Sequence, residues 1–442
     1  MKISKIYIKD FHQFKDFTLD LTYPKGHKKE GEPLDRVCFI GQSGTGKTSL
    51  LEMIPCLIYQ YEESNLINAV GYSKFVENVF FDIHFGMDNE YFETAYYEPV
   101  LGLRAWMLNG VKISVEVLSE NYREWINTKA SKLIYFPANL NYNLDVSTEN
   151  KLENRVIIDF SKDNVATVWS LILEKIKHYQ EQELKIRQDI SKVVEKSSSD
   201  INAIQKAVKE LETWKQTEFN PIKDVADNCL NPLLEKFKLR VKTELDFKTK
   251  DDIGFIKIED FEGNEIPHGL WSTGTKQVIL SALPLYLLKP QHTIVLFDEP
   301  ERSLYPDLQR SVVDYYTSLA ETCQFFYSTH SPIIASNFDP WEIVELKFNK
   351  EGKVYREQYF EGENHVDNYQ WNPRYMRWDD ILQRVFDLED DGSPERKAKL
   401  NELASLNVKF KKMTKQGLEQ SEEALNIIQK IQKLSKDLSK WN

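Results

Sequence analysis

Residues 41–48 read Gly-Gln-Ser-Gly-Thr-Gly-Lys-Thr, and their types and spacing point most directly to a chemistry. A glycine, four further residues and then Gly-Lys-Thr is the pattern of a phosphate-binding loop. The glycines let successive backbone N–H groups point into one hollow, and a following helix N-terminus adds partial positive charge. The alternative interpretation is a glycine-rich turn that happens to precede a helix.

The residues around this loop have the character that the motif requires. An apolar run of strand length, Val37–Ile40, precedes it, and apolar residues at helical spacing follow it from Ser49. Lys47 is predicted to reach the β- and γ-phosphates of a nucleotide, and the Thr48 hydroxyl to ligate Mg²⁺. The residues predicted to bind the nucleotide here are Gly41, Gln42, Ser43, Gly44, Thr45, Gly46, Lys47, Thr48 and Ser49.

An acidic pair follows a second apolar strand further along the chain. Four apolar residues, Ile294–Phe297, run directly into Asp298 and Glu299. A strand of this type ends at the sheet edge where ligands lie in nucleotide-binding α/β folds. Asp298 is predicted to hold the Mg²⁺ shell, and Glu299 to orient and polarise the attacking water. Acidic pairs are also common in surface turns, so this prediction depends on the phosphate loop upstream.

Three shorter stretches have the order expected around such a site. Ser272-Thr-Gly274-Thr-Lys-Gln precedes an apolar helix, and 301–306 follows the acidic pair directly. His330 lies in a polar turn after an apolar strand. Taken singly, Ser272 and Gly274 are explained as an ordinary helix cap, and His330 as a hydrogen-bonded turn residue.

Together these motifs resemble those of the ABC-type ATPases, and within them the branch of RecF, SMC and OLD-like proteins. Ser272–Gln277 resembles the family's signature motif, 301–306 its D-loop and His330 its switch histidine. With the phosphate loop and the acidic strand they occur in the family's order, over roughly residues 1–150 and 250–350. The resemblance implies Mg²⁺-dependent hydrolysis of ATP, with His330 as the switch histidine and Glu299 and Lys47 as further catalytic residues. The glutamine that this family carries in its catalytic lobe cannot be placed in the sequence.

The resemblance also implies a partner. One copy would offer its phosphate loop and acidic strand, while Ser272 and Gly274 of a second copy cap the γ-phosphate from outside. Each subunit alone would leave the phosphate half solvated, so ATP is expected to hold a head-to-tail homodimer or a higher oligomer, and hydrolysis to loosen it.

The remaining chain predicts the elements that position these residues. Alternating apolar and polar residues predict a hairpin at 2–8 and 17–22, and further β-like runs predict an antiparallel subsheet. From about Val165, apolar residues at steps of three and four predict two antiparallel helices with their tip at 197–200. One continuous bent helix is the alternative. The β-like runs are 78–85, 91–97, 111–117 and 133–136.

The predicted fold class is α/β, namely an ABC-type ATPase head with a mixed sheet around the phosphate loop and an antiparallel β subsheet. An inserted helical hairpin and a C-terminal helical region complete it. The predicted division is 1–160 for the first ATPase lobe, 161–245 for the helical insertion, 246–360 for the second ATPase lobe and 361–442 for the C-terminal helices.

Composition narrows the setting. The formal charge of −12 over 442 residues argues against a generally DNA-coating surface, so contact with DNA would need a local basic patch. The four cysteines form no CxxC pair, which argues against a zinc site and for a reducing cytoplasm. The N-terminus reads as a strand, and no stretch approaches the roughly 18 apolar residues of a membrane span. We therefore expect a cytoplasmic protein without membrane contact.

The role within the family is predicted from what surrounds the motifs. The chain has one copy of each motif and some 230 residues between phosphate loop and signature. Residues 372–396 resemble the tail of single-chain anti-phage ATPases of the Septu and retron type. This favours an ATPase that regulates a separate effector, such as an HNH or Toprim nuclease. The alternatives are a RecF-like DNA-binding repair ATPase without an effector, and regulation of a non-nuclease toxin or of RNA.

The final helix, predicted at about 419–441, carries an apolar stripe suited to packing on another helix. That second helix belongs either to this chain or to a partner. Residues 394–442 are locally basic, with eleven Lys or Arg against six acids.

Overall fold

The structure, a computed structural model, describes most of the chain. The described residues are 2–55, 79–87, 90–100, 103–108, 111–113, 133–140, 152, 155, 157–196, 201–243, 256–358, 372–388 and 392–439. For the strands between 79 and 113, only the backbone pairing is described. The chain forms two compact units, Met1–Tyr375 and Met376–Asn442. The finer division into four parts remains a prediction.

The first unit contains both strands and helices. Its described strands are β1 (Lys2–Phe11), β2 (Phe14–Asp20), β3 (Arg36–Gly41), β4 (Val79–Met87), β5 (Glu90–Val100), β6 (Leu103–Leu108), β7 (Val111–Ile113), β8 (Leu133–Phe136), β9 (Ile157–Asp159), β10 (Leu239–Val241), β11 (Ile258–Asp260), β12 (Glu265–Ile266), β13 (Ile294–Asp298), β14 (Gln324–Ser328), β15 (Ile343–Phe348) and β16 (Val354–Glu357). Its described helices are α1 (Lys47–Met53), α2 (Ser170–Lys196), α3 (Ile201–Thr217), α4 (Pro221–Val225), α5 (Asn231–Leu234), α6 (Thr273–Leu288), α7 (Pro306–Ser318) and α8 (Pro332–Ala335).

A seven-stranded sheet forms the centre of this unit, in the order β16-β15-β3-β14-β13-β8-β9. All neighbouring strands in it are parallel except the β15–β16 pair. Every residue of β13 and β14 is buried, as continuous apolar strands covered on both faces should be. The α/β fold with a mixed sheet predicted from the sequence is confirmed, and that sheet is mostly parallel.

Stacked aromatic rings fill the core beside the acidic strand. The ring of Phe297 lies 4.5 Å from that of Phe136 and 4.8 Å from that of Tyr316, both nearly parallel. Tyr327 on the neighbouring strand stacks at 5.5 Å. Large rings in contact bury much apolar surface and have few alternative packings, so they hold strand β13 and its acidic end in place.

A six-stranded antiparallel sheet, β2-β1-β4-β5-β6-β7, forms the second layer. The hairpin predicted at 2–8 and 17–22 is present as β1 and β2, and the predicted runs at 78–85 and 91–97 as β4 and β5. Strand β6 has no counterpart among the predictions. Strand β7 is described only to Ile113, so the rest of the run predicted there lies outside the described residues.

Two helices, α2 and α3, form the predicted insertion. Tyr179 on α2 stacks on Trp214 of α3 at 4.8 Å, and Glu183 accepts from Lys215 at 2.9 Å. Since these side-by-side contacts require the chain to reverse, the hairpin prediction is confirmed and a single continuous helix is excluded. The predicted tip, 197–200, lies outside the described residues.

The second unit contains α9 (Trp378–Arg384), α10 (Pro394–Lys415) and α11 (Glu422–Ser439). Met413 on α10 packs with Ala424 and Ile427 on α11, and Ile431 lies against the same cluster. The apolar stripe predicted for the final helix therefore contacts a helix of its own chain at these positions.

Candidate functional site

Three parallel strands bring the predicted site residues to one edge of the central sheet. Strands β3, β14 and β13 are neighbours, and their register pairs Asp298 with Ser328 and Ser328 with Phe39. Their carboxyl ends therefore place the phosphate loop, the turn that contains His330, and the Asp298-Glu299 pair next to one another. This is the edge at which α/β sheets bind ligands.

The phosphate loop needs its glycines because other atoms come too close for a side chain. Gly46 has a φ of 89°, and a Cβ there would lie 2.3 Å from Nε2 of Gln13 and 2.7 Å from the ring of Phe14. Gly41 has a φ of 143°, and its Cβ would lie 2.3 Å from the carbonyl oxygen of Leu346. Both contacts are below any real Cβ distance, so these positions accept only glycine.

Lys47 is buried at the start of α1, with its ammonium group directed into the loop. Its Nζ donates to the carbonyl oxygens of Gly41 at 2.9 Å and Gln42 at 3.1 Å. Burial lowers the pKa of Lys47 to about 8, although the nearby carboxylates oppose this shift. A bound phosphate would offer this desolvated cation a stronger acceptor than neutral carbonyls.

The two predicted metal residues contact each other directly. The Thr48 hydroxyl lies 3.1 and 3.0 Å from the two carboxylate oxygens of Asp298. Asp298 is 6% exposed, and burial raises its pKa, so a cation bound there would relieve the cost of its charge. A hydroxyl and one carboxylate, both oxygen donors, fit Mg²⁺, which takes its remaining ligands from water and phosphate.

Glu299, the predicted catalytic base, sits at a sharp change of chain direction. Its φ is 48°, in the left-handed region that non-glycine residues rarely occupy, and its N–H donates to the Ser328 carbonyl at 2.9 Å. Its side chain is half-buried. Unfavourable backbone geometry of this kind is kept where the surroundings enforce it, often at functional sites.

His330 follows strand β14 and lies exposed at the same edge. Partial burial lowers its pKa, and the charge of Lys47 lowers it further, whereas Glu299 and Asp298 raise it. The imidazole is therefore within electrostatic range of three other predicted site residues.

The residues predicted to form the signature lie at the N-terminus of α6. Ser272 is its N-cap, and Ser272 Oγ accepts from the Thr275 N–H at 3.1 Å. Ser272 and Thr273 are exposed, so a second molecule can reach them. Gly274 is buried: a Cβ there would lie 2.5 Å from the carbonyl oxygen of Ser303 in the same chain. The predicted site thus divides into an assembled edge and a separate, outward-facing serine.

Two residues whose contacts the sequence analysis did not predict also belong to this edge. Gln13, in the β1–β2 turn, donates through Nε2 to the Gly44 carbonyl at 3.3 Å. Glu301 accepts from the Thr329 hydroxyl at 2.6 Å and from the His330 N–H at 3.1 Å. The signals in the sequence were a turn rich in aromatics for Gln13 and, for Glu301, its place at the start of the predicted D-loop, 301–306, and neither predicts a contact.

The glutamine that ABC-type ATPases carry in their catalytic lobe is not identified among the described residues either. Strand β8 lies beside β13 in the sheet and is followed by the described residues Pro137-Ala-Asn-Leu140, which include no glutamine. The Asn-rich stretch beyond, from 141 to 150, lies outside the described residues.

No helix within the described part of the chain combines the length and apolar character needed to cross a bilayer.

Several solved structures are similar to the chain. An SMC head bound to the C-terminal winged-helix domain of ScpA shares 15% identity over 80% of this chain and 97% of that chain, with a TM-score of 0.42. An SMC head with an extended coiled coil bound to the C-terminal domain of ScpA, from Pyrococcus furiosus, shares 15% identity over 80% of this chain and 95% of that chain, with a TM-score of 0.42. The SMC head domain from Thermotoga maritima shares 13% identity over 80% of this chain and 98% of that chain, with a TM-score of 0.41. Among curated proteins, none matches the chain.

The family comparison covers most of the sequence. Residues 1–335 match the family model described as AAA ATPase domain, and this range contains the phosphate loop, the acidic strand and His330. The match extends over more than half of the 442 residues. The protein therefore belongs to the AAA ATPase domain family.

Proposed function

We propose that the protein binds Mg²⁺-ATP at the edge of its central sheet and hydrolyses it between two copies of the chain. The observation that carries this proposal is the contact between Thr48 and Asp298 at 3.0 Å, which joins two motifs 250 residues apart. A hydroxyl from a phosphate loop beside a buried carboxylate is the arrangement that phosphoryl-transfer sites use to hold a cation.

Each side chain at the edge has a separate task. The loop N–H groups and Lys47 hold the phosphates, and Thr48 and Asp298 would hold Mg²⁺, which supplies charge neutralisation on the phosphate oxygens. Glu299 orients the attacking water and accepts its proton, while His330 contacts the γ-phosphate from the neighbouring strand end. Positioning and electrostatic stabilisation account for most of the catalysis in such sites.

The second copy is proposed from the signature. Ser272 is exposed at the N-terminus of α6, where the helix dipole favours a phosphate. Gly274 permits the close contact between this helix and Ser303, so its role is to shape the tip rather than to face the nucleotide. A head-to-tail dimer would bring this tip onto a neighbour's γ-phosphate.

We further propose that the dimer regulates a separate effector protein, a nuclease, in anti-phage defence. The second unit supports this, because it lies outside the residues that match the ATPase family and forms its own helical core. The role in defence rests on the resemblance to Septu and retron ATPases.

A DNA-binding ATPase without an effector is the second candidate. Lys409, Lys411, Lys412 and Lys415 are all exposed within the last two turns of α10. Clustered lysines of this kind attract phosphate backbones. Strong stimulation of ATP hydrolysis by DNA in the absence of any other protein would favour this candidate over the effector.

Substitution of the catalytic base tests the site assignment. Glu299→Gln should bind ATP, lose at least about a hundredfold in turnover and accumulate an ATP-dependent dimer, measured by steady-state hydrolysis and light scattering. Lys47→Ala should lose nucleotide binding. Glu321→Gln, an exposed glutamate after α7, serves as the matched control and should behave as wild type. Wild-type turnover by Glu299→Gln would show that the base is another residue.

The effector is tested by co-purification with the products of neighbouring genes, followed by mass measurement with and without ATP. Deletion of α10 and α11 should release a nuclease partner while leaving hydrolysis by the ATPase in place. A partner that stays bound after this deletion would contradict docking on the second unit.

A further inference from the structure

Glu301 lies two residues beyond the catalytic base and has no role in the reaction described above. Its Oε1 accepts two hydrogen bonds, one from the Thr329 hydroxyl at 2.6 Å and one from the His330 N–H at 3.1 Å. Both donors belong to the turn after β14 that carries the switch histidine. One carboxylate oxygen therefore joins the segment after the acidic strand to the segment after the neighbouring strand.

The same turn is tied down further along. The Ser331 N–H donates to Thr329 Oγ1 at 2.9 Å, so the hydroxyl that Glu301 holds also organises the next residue. Ser331 Oγ donates to Gln309 Oε1 at 2.6 Å, and Gln309 Nε2 donates to the Leu304 carbonyl at 2.9 Å. The backbone around His330 is thus fixed by side chains that come from α7 and from the segment before it.

The second oxygen of Glu301 shows that its placement costs free energy. Oε2 is buried and has no hydrogen-bond partner among the described residues. A buried, unsatisfied carboxylate oxygen is unfavourable, so the contacts made by Oε1 have to offset it. A residue serving only to fill space at this position could be apolar and would avoid that cost.

We propose that Glu301 is the positioning residue for His330, holding the turn 329–331 so that the imidazole points over the phosphate site. This inference rests on the proposed ATPase mechanism and adds a residue to it. The imidazole of His330 is exposed, and errors in placement of about 1 Å can cost roughly a hundredfold in rate. Because the Oε1 contacts are hydrogen bonds to neutral donors, the role needs an acceptor oxygen and not a negative charge.

Two substitutions separate positioning from charge. Glu301→Ala removes the acceptor and should lower kcat about tenfold or more, with KM for ATP changed by less than about twofold, since the phosphate loop is untouched. Glu301→Gln keeps an oxygen at the same place and should recover kcat to within about threefold of wild type. Glu321→Ala, the same change at an exposed glutamate, should leave both constants unaltered.

A double-variant cycle tests whether Glu301 acts through the histidine. The double variant, Glu301→Ala with His330→Ala, should have the same kcat as His330→Ala alone. ATP binding by each variant, measured by calorimetry, shows that the fold is intact. If Glu301→Ala impairs folding, Thr329→Val provides the same test, because it removes one of the two donors with little change in volume.

Three outcomes would overturn the inference. They are wild-type kcat in Glu301→Ala, equal loss in Glu301→Gln and Glu301→Ala, and effects of Glu301→Ala and His330→Ala that multiply in the double variant. Absence of hydrolysis by the wild-type protein would instead overturn the proposed function. A hydrolysing wild type, an impaired His330→Ala and an unimpaired Glu301→Ala would overturn the positioning role alone.

Discussion

Gln324 is a fully buried amide that joins the two sheets of the first unit. Its Oε1 accepts from the Ile3 N–H at 2.7 Å, and its Nε2 donates to the carbonyl oxygens of Ile3 and Leu34, both at 2.8 Å. The side chain thus takes the place of a strand partner for β1, which belongs to the antiparallel sheet. Gln324 itself begins β14 of the central sheet.

Replacing Gln324 by Leu keeps the volume and removes all three hydrogen bonds. One backbone N–H and two carbonyl groups are then left buried without these partners. Each such group costs about 1–3 kcal/mol, so the loss of stability should be at least about 3 kcal/mol. That free energy corresponds to roughly a hundredfold change in the population of the opened form.

Hydrogen exchange of the β1 amides is the direct measurement. In Gln324→Leu, exchange from β1 should accelerate at least about a hundredfold, and the urea midpoint should fall. ATP affinity should fall as well, because the β1–β2 turn contacts the phosphate loop through Gln13 and Gly44.

Gln291→Leu is the matched control. Gln291 is exposed, and its side chain accepts one hydrogen bond, from the Thr322 hydroxyl at 3.0 Å, so the loss of that side chain should change stability by no more than about 0.5 kcal/mol. Protection of β1 that is equal in the Gln324→Leu and Gln291→Leu variants would refute the reasoning, since the buried amide would then contribute no more than a surface one.

Three further predictions concern stability and the phosphate loop. Arg36→Met should lower the free energy of unfolding by about 3–5 kcal/mol in urea titrations, because buried Glu342 loses its ion-pair partner at 3.0 Å. Adding Glu342→Gln to Arg36→Met should restore part of the lost stability, because the unpaired charge is then removed. Gly46→Ala should abolish ATP binding in calorimetry, because its φ of 89° is unfavourable for alanine and its Cβ would lie 2.7 Å from the buried ring of Phe14. Burial alone would raise the pKa of Asp35, but two lysine partners lower it to about 2 from 3.8. A carboxyl group whose pKa is lower in the folded than in the unfolded protein stabilises the fold at pH values above its unfolded pKa. Asp35→Asn should therefore lower the free energy of unfolding by about 2 kcal/mol at pH 7. Urea titrations should show this difference shrinking as the pH falls from 3.8 to 2.

Local patterns in the sequence were sufficient for the elements that carry the chemistry. The phosphate loop is contiguous, so its glycines, lysine and threonine specify strand, turn and helix without help from distant residues. The acidic pair and His330 each follow an apolar run, and parallel strands bring their carboxyl ends to one edge. The insertion was predictable for the same reason, since helical periodicity is a property of neighbouring residues.

Contacts between distant residues were decided only by the tertiary structure. Gln324 looks like any polar residue at the start of a strand, yet its partners are 321 and 290 residues away. Glu301 reads as one more acid in an acidic run, and its bond to His330 depends on the register of two strands. Sequence periodicity reports which face of an element is apolar, whereas a buried hydrogen bond depends on distance and angle, and packing alone sets these.

The predicted signature, Ser272 and Gly274, shows both contributions at one place. Its order after the phosphate loop and before the acidic strand identified Ser272 and Gly274 together. The fold then separated them, leaving the serine exposed at the tip of α6 and burying the glycine against Ser303. Residue type and spacing thus determined which chemistry the chain can attempt, and the packing of helices on the sheet decided which of those atoms another molecule can reach.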